Sequence, residues 1–385
     1  MADRLDLNTI VREIGPGFAE MAAARDADDL FVRENYDVLK KHRVMSAMVP
    51  GELGGGGAGH REMAAFIRTL AQSCSATALA LSMHQHVVAA AVFNYRNGRP
   101  GWKVLEKVAK SEAVLVSTGA NDWMDSNGTV ERADGGYRVS ARKPFASGSP
   151  CGDVLVTSAP YRDPEEGWQV LHFPVPLASK GVSGLDDWQT LGMRASGSRT
   201  VVLENVFVPD EAVALRRPRG AYHPAWNAIL TVAMPLIMSA YVGVAEAAAR
   251  IATEAARKRR DEPEAPYLLG EMTNALTTAQ LAVDDMVVIA NDWDFTPATE
   301  TANAILVRKS IAAEAVLATA EKAMEAAGGA AFYRKMGLER LLRDAHGVRY
   351  HPLPIKRQQH FTGRLALGLD PIGEVAEPWP RQEAA

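Results

Sequence analysis

The chain has 385 residues, 47% of them hydrophobic and 23% charged, so it can bury a large core divided among roughly two or three packed units. A net charge of -4 offers no basic field to a nucleic-acid backbone, which argues against such a partner. Cys74 and Cys151 stand far apart without metal-ligand spacing, so neither a disulfide framework nor a metal site is expected, and a reducing cytoplasm fits.

Met1 to Leu7 mixes Asp3, Arg4 and Asp6 with few apolar residues, unlike the basic-then-apolar order of a secretory signal. Leu7, Ile10, Val11, Ile14, Phe18 and Met21 recur at helical spacing, with an interruption expected at Gly15-Pro16-Gly17. After a glycine-rich loop over Val49–Gly57, helices are predicted at Arg61–Leu70 and Ala76–Phe93. The second is almost wholly apolar and is therefore expected to be central and buried. Residues 1–111 read as an N-terminal α-helical domain.

Over residues 112–215 the texture changes to short β-branched runs, Ala113–Thr118, Tyr137–Ala141, Val154–Ser158, Trp168–Phe173 and Thr200–Val208. Turn signals at Ser126-Asn127-Gly128 and Asp134-Gly135-Gly136 separate them, predicting a middle β-barrel or sandwich. Residues 222–373 return to long alanine-rich patterns, Ala225–Arg260, Leu268–Asn291 and Thr301–Ala327, which predict a C-terminal four-helix bundle. Ala225–Ala249 is long enough to raise a membrane question. Asn227, Pro235 and Glu246 break it, and a buried bundle helix is expected instead. Arg257 to Arg260 run straight into Asp261 and Glu262 and read as a solvated helix end, and the polar tail 374–385 is expected to be mobile. The fold class expected is α+β and multidomain.

This order of helical, β and helical parts coincides with motifs that resemble the acyl-CoA dehydrogenase superfamily, from about residue 8 to residue 371. Val49–Gly55 is similar to that family's loop between N-terminal helices, and Ser75–Ala80 with His84 to its buried helix. Leu191–Ser198 running into Val201–Pro209 resembles the end of its β-domain and is the most specific signal. Gly328-Gly329 followed by Leu338–Ala345 resembles a stretch that touches the cofactor from a neighbouring subunit. The resemblance implies a homo-oligomer, a tetramer by default, with a small-molecule or acyl-CoA substrate. A flavin reductase or an electron-transfer flavoprotein is the implied redox partner, and no membrane is involved.

A flavin needs a flat slot, a donor at its reactive ring nitrogen and donors near its ring carbonyls, because reduction adds electron density there. By resemblance, Ser117, Thr118 and Gly119 on one strand end, and Phe145, Ser147 and Gly148 on another, grip the isoalloxazine, with Ser147 donating to the ring nitrogen. Gly328 and Gly329 complete the set. Arg257–Pro263 replaces the motif that holds the adenine half in ordinary members. FAD is the expected cofactor and FMN the alternative.

Dehydrogenation of an acyl thioester needs a carboxylate to remove the α-proton. The interval that leads from the Arg-Asp-Ala motif to that Glu in many members ends here on Pro352, preceded by His351. Members with the Glu on the first long bundle helix would place it at Ala249 or Arg250. Glu246 and Glu254 are the nearby carboxylates, Glu246 being better explained by an i,i+4 ion pair with Arg250. His351 instead resembles the flavin monooxygenase branch, in which a histidine near this point and a serine equivalent to Ser147 serve the flavin. His84, His86 and Tyr241 are expected in the substrate pocket. Three readings follow: a monooxygenase-like enzyme fed with reduced flavin, an acyl-CoA dehydrogenase with a relocated base, and a flavin-binding subunit without chemistry.

Overall fold

A computed structural model describes residues 5–118 and 125–373. The tail 374–385 and Gly119, with the expected strand end at Ala120, lie outside the described residues. The first helix, α1 (Leu7–Ala27), starts where the Asp6 carboxylate accepts the N–H groups of Asn8 and Thr9, at 3.1 and 3.2 Å. It runs unbroken through Pro16, against the expected interruption. A proline removes one helical hydrogen bond, but the buried stripe of Leu7, Ile10, Val11, Ile14 and Phe18 holds both halves on one core and outweighs that loss.

Four more helices follow: α2 (Arg33–Lys41), α3 (His60–Ala71), α4 (Ser75–Arg96) and α5 (Val104–Ser111). Among the described residues eight strands come next: β1 (Leu115–Ser117), β2 (Thr129–Ala133), β3 (Gly136–Ala146), β4 (Val154–Asp163), β5 (Gly167–Pro176), β6 (Val182–Gly184), β7 (Arg199–Pro209) and β8 (Leu215–Pro218). They form two four-stranded sheets, ordered β1-β4-β5-β8 and β2-β3-β7-β6. β1 runs parallel to β4, while every other pairing is antiparallel.

The C-terminal helices are α6 (Ala225–Arg257), α7 (Ala265–Ala290) and α8 (Thr299–Ala327), followed by the short α9 (Leu338–Ala345) and α10 (Ile355–Ala366). The three long helices pack against one another, α9 packs on α6 and α8, and α10 lies on α8. By length and composition α4 and α6 are apolar enough to cross a membrane. Both are instead packed at the centre of the protein: α6 lies against α3, α4, α7 and α8, and its core-facing residues are sealed from solvent.

Two adjacent residues tie the three parts together. Asp344 in α9 is buried, accepts the backbone N–H of Met193 at 2.6 Å and accepts the hydroxyl of Ser75 at the start of α4. Burial raises the Asp344 carboxyl above its usual range, while those hydrogen bonds favour the ionised form. Arg343 pairs with Asp26 of α1 at 2.6 Å and with Glu339 at 2.7 Å, and donates to the carbonyl of Leu191 at 3.0 Å. Gly192 lies so close to this corner that a Cβ would stand 2.2 Å from the Arg343 carbonyl oxygen.

Candidate active site

Where the three parts meet, a cavity of about 500 Å³ opens. α4, the ends of β1 and β3, β4, β5, the loop before β7, α6 and the segment after α9 all contribute to its wall.

On the β side, Ser117 and Thr118 reach the wall at the end of β1, and the Thr118 and Thr157 hydroxyls lie 2.6 Å apart. The pairing of β3 with β7 slips between Lys143 and Ala146, and Phe145 takes a φ of 60°, unusual for an aromatic residue. This bulge brings Phe145 and Ser147 into the wall. Phe145 stands edge-on to Trp188, with ring centroids 5.8 Å apart. Ser147 Oγ is 2.7 Å from Ser198 Oγ, which is 2.7 Å from Ser196 Oγ, so three hydroxyls form one chain.

Hydroxyl donors beside aromatic edges are the donor set an isoalloxazine needs, and these residues fit one. Gly148 is placed differently from the expectation. It is absent from the wall, and with φ at 74° its N–H donates to the Ser196 carbonyl at 3.0 Å. Its part is to form the turn that presents Ser147.

On the helical side, the Tyr241 hydroxyl of α6 lies 2.7 Å from Nε2 of His351. Both residues line the cavity, as does His86 of α4. Burial pushes His351 down to about 3, helped by the Lys309 ammonium and by His86, and burial pushes His86 down to about 4. Both rings are therefore neutral near neutral pH. The buried Lys309 donates to the carbonyls of His351 and Leu353 at 3.1 and 3.0 Å, fixing the backbone that carries the imidazole, and burial lowers Lys309 to about 8.

His84 does not belong to the expected pocket. Its Nδ1 accepts the N–H of Leu115 at 2.9 Å, its Nε2 donates to the Met45 carbonyl at 2.9 Å, and it lies outside the cavity wall. Two positions along α4 decide this: His84 points between α4 and β1, and His86 points into the cavity.

Among the described residues the wall holds no carboxylate. Glu246 lies in a separate polar groove, where Arg68 binds it at 2.8 and 2.5 Å and Gln72 and Gln280 each donate at 2.8 Å. The expected pair with Arg250 does not form, because α3 supplies a better placed guanidinium across the helix interface, and Arg250 pairs with Glu254 instead. Neither Glu246 nor Glu254 is placed to serve as a base.

Gly328 and Gly329 lie at the end of α8, outside the wall, and a Cβ on Gly328 would stand 2.8 Å from the Arg259 guanidinium. Beside them Phe332 and Tyr333 are exposed.

Sequence reasoning missed Trp188, Trp226 and His172, which all line the cavity. Arg217 donates through Nε to His172 Nε2 at 3.0 Å, and burial, followed by the Arg217 charge, lowers that histidine to about 3. No local motif marks these residues.

Residues 9–112 match the acyl-CoA dehydrogenase N-terminal domain and residues 236–353 an acyl-CoA dehydrogenase C-terminal domain, together more than half of the chain. An amino sugar nitrososynthase, RubN8, of Streptomyces rubradiris is 26% identical over 92% of this chain and 88% of its own. A probable FMNH2-dependent monooxygenase, SfnC, of Pseudomonas putida is 25% identical over 71% of each. The solved structure of KijD3 in complex with FMN and a dTDP-linked amino keto sugar superposes with a TM-score of 0.86 at 25% identity, covering 97% of each chain. With a wall suited to an isoalloxazine and the family's domains on either side of it, the chain belongs to the acyl-CoA dehydrogenase superfamily and is a flavin-dependent oxidoreductase.

Proposed function

We propose that the protein is a two-component monooxygenase that takes up reduced flavin, FMN in the first instance, from a separate reductase and oxygenates a small organic molecule. The observation that carries this reading is the composition of the cavity wall: among the described residues it offers His86, Tyr241 and His351 but no carboxylate to remove an α-proton. Reduced flavin, when bound, supplies two electrons, so that one atom of dioxygen enters the substrate and the other leaves as water.

Ser147, Ser117 and Thr118 would hold the flavin ring system through their hydroxyls, and Phe145 and Trp188 would bound its slot. His351, neutral and held by Lys309, accepts or returns a proton at Nε2 through the Tyr241 hydroxyl. The apolar stretch of α6 from Ile229 to Ile237 keeps water from the reacting atoms. Arg343 is the single Lys or Arg among the described wall residues, and Asp26 and Glu339 already engage it, so the flavin's phosphate needs groups from elsewhere. A neighbouring copy in a homotetramer would supply them from the surface around Gly328–Tyr333, where the exposed Arg334 and Lys335 follow directly.

Two relatives support the reading, being named as an amino sugar nitrososynthase and a probable FMNH2-dependent monooxygenase. The test is anaerobic titration of the flavin-loaded protein with acyl-CoA thioesters, followed by mixing of the reduced protein with oxygen. An unchanged oxidised flavin band with every thioester, together with oxygen consumption that depends on reduced flavin, is expected. Bleaching by any thioester overturns the reading.

A further inference from the structure

The cavity has a second polar feature, away from the Tyr241 and His351 pair, and it lies on the β-sheet. His172 of β5 stands opposite Ser158 of β4, and both face the cavity. Behind His172, Arg217 of β8 is almost fully buried and directs Nε at the imidazole Nε2 from 3.0 Å. Trp226 of α6 closes the group, edge-on to His172 at 5.9 Å and under the Arg217 guanidinium at 5.5 Å.

The chemistry of that contact fixes the proton on the ring. A guanidinium has donors and no acceptor, so the ring nitrogen it faces must accept and cannot carry hydrogen. The single proton of the neutral imidazole then sits on Nδ1. Among the described residues Nδ1 has no hydrogen-bond partner, and it is not sealed within the protein. A second proton would put an N–H against the guanidinium, so the ring stays a fixed donor.

Apolar and aromatic side chains make up much of the cavity wall, Val87, Ala90, Ile229, Ala233, Trp188 and Trp226 among them. An N–H held as a donor at such a wall favours a ligand with an uncharged acceptor, because Arg343, the single Lys or Arg among the described wall residues, is already engaged by Asp26 and Glu339, and a ligand without an acceptor leaves the donor unpaired.

We infer that His172 is a specificity-determining residue, locked by Arg217 as an Nδ1–H donor, and that the substrate is an uncharged aromatic or heteroaromatic molecule bearing one hydrogen-bond acceptor. This rests on the cavity being the substrate site of the proposed monooxygenase, but its test needs no turnover.

Trp188 and Trp226 line the cavity, so quenching of tryptophan fluorescence in the flavin-free protein reports binding of quinoline and of naphthalene, which differ by one ring nitrogen. Quinoline is expected to bind roughly tenfold more tightly, His172→Phe to abolish that preference while leaving naphthalene and FMN affinity within about twofold, and His172→Gln to keep part of it. Nitrogen-15 NMR of histidine-labelled wild-type protein checks the tautomer independently of either variant's folding and should show hydrogen on Nδ1 and none on Nε2. Hydrogen on Nε2, binding of neither probe, or a preference unchanged in His172→Phe overturns the inference. So does a loss of FMN affinity with an unchanged probe ratio, which would assign the donor to the flavin. Failure of these binding tests leaves the oxygen-consumption result standing, and failure of oxygen chemistry leaves the binding result standing.

Discussion

The Tyr241 hydroxyl and the His351 imidazole lie 2.7 Å apart, joining the middle of α6 to the segment that follows α9. Neither has a carboxylate partner among the described residues, so any proton held there passes between a phenol and a neutral ring. Replacing Tyr241 by Phe keeps the packing and removes the hydroxyl that meets Nε2. Substrate oxygenation in the presence of reduced FMN should fall by about ten- to a hundredfold, within the range of a lost proton-transfer group, with FMN affinity unchanged and hydrogen peroxide release increased. Product and peroxide assays on Tyr241→Phe read both effects.

Asp344 accepts hydrogen bonds from two donors on two different parts of the chain. In Asp344→Asn one of those donors would face an amide N–H₂, leaving a buried group unpaired. A loss of about 2–4 kcal/mol is expected from urea unfolding, and FMN affinity should weaken with it because Met193 lines the cavity.

Glu246 belongs to an ion pair between α3 and α6 and not to the chemistry. Glu246→Gln should keep oxygenation within about twofold and cost about 1–3 kcal/mol of stability, since the partly buried Arg68 keeps only the exposed Asp284, at 2.9 Å, as its carboxylate partner among the described residues. Loss of turnover with unchanged unfolding would restore Glu246 as a relocated base.

Acidification should unfold the protein through its imidazoles. His60, His84, His86, His172 and His351 are all held below the ordinary histidine value by burial. Above about pH 6.5 both the folded and unfolded states leave them neutral and they contribute nothing to the pH dependence. Below it the unfolded chain binds protons that the folded one refuses. Stability is then lost as pH falls, each ring adding a slope of up to about 1.4 kcal/mol per pH unit until its folded value is reached. Asp344, raised by burial, acts in the opposite sense but is one group against five. Urea midpoints at about pH 7.5 and about pH 5 should differ strongly, and equal midpoints would show these rings to be solvated.

The three-part order was readable from sequence because hydrophobic period changes from helical to alternating and back over long stretches. β2, β6 and β8 were not readable: β6 and β8 are three and four residues long, β2 is a largely exposed edge strand, and the three depend on β3, β7 and β5 for their hydrogen bonds. At the site, Ser147, Phe145 and His351 stand in segments whose local pattern resembles a known family, and all three line the cavity. His84 and His86 carry the same sequence signal and differ only in which side of α4 they occupy, so only packing separates them. His172, Trp188 and Trp226 come from a strand, a loop and a helix that meet only in the folded chain.

The corner at Gly192 has no room for any side chain, and its neighbours Met193 and Arg343 line the cavity. One edge of the chamber is thus cast with the joint that assembles the molecule, and cannot be reshaped without loosening it. Another part of the wall, Ile229, Ala233 and Met234 along α6, carries no such joint among the described residues. Redesign toward a bulkier or slimmer substrate therefore has one practical direction: those three side chains can be resized while the seam stays untouched.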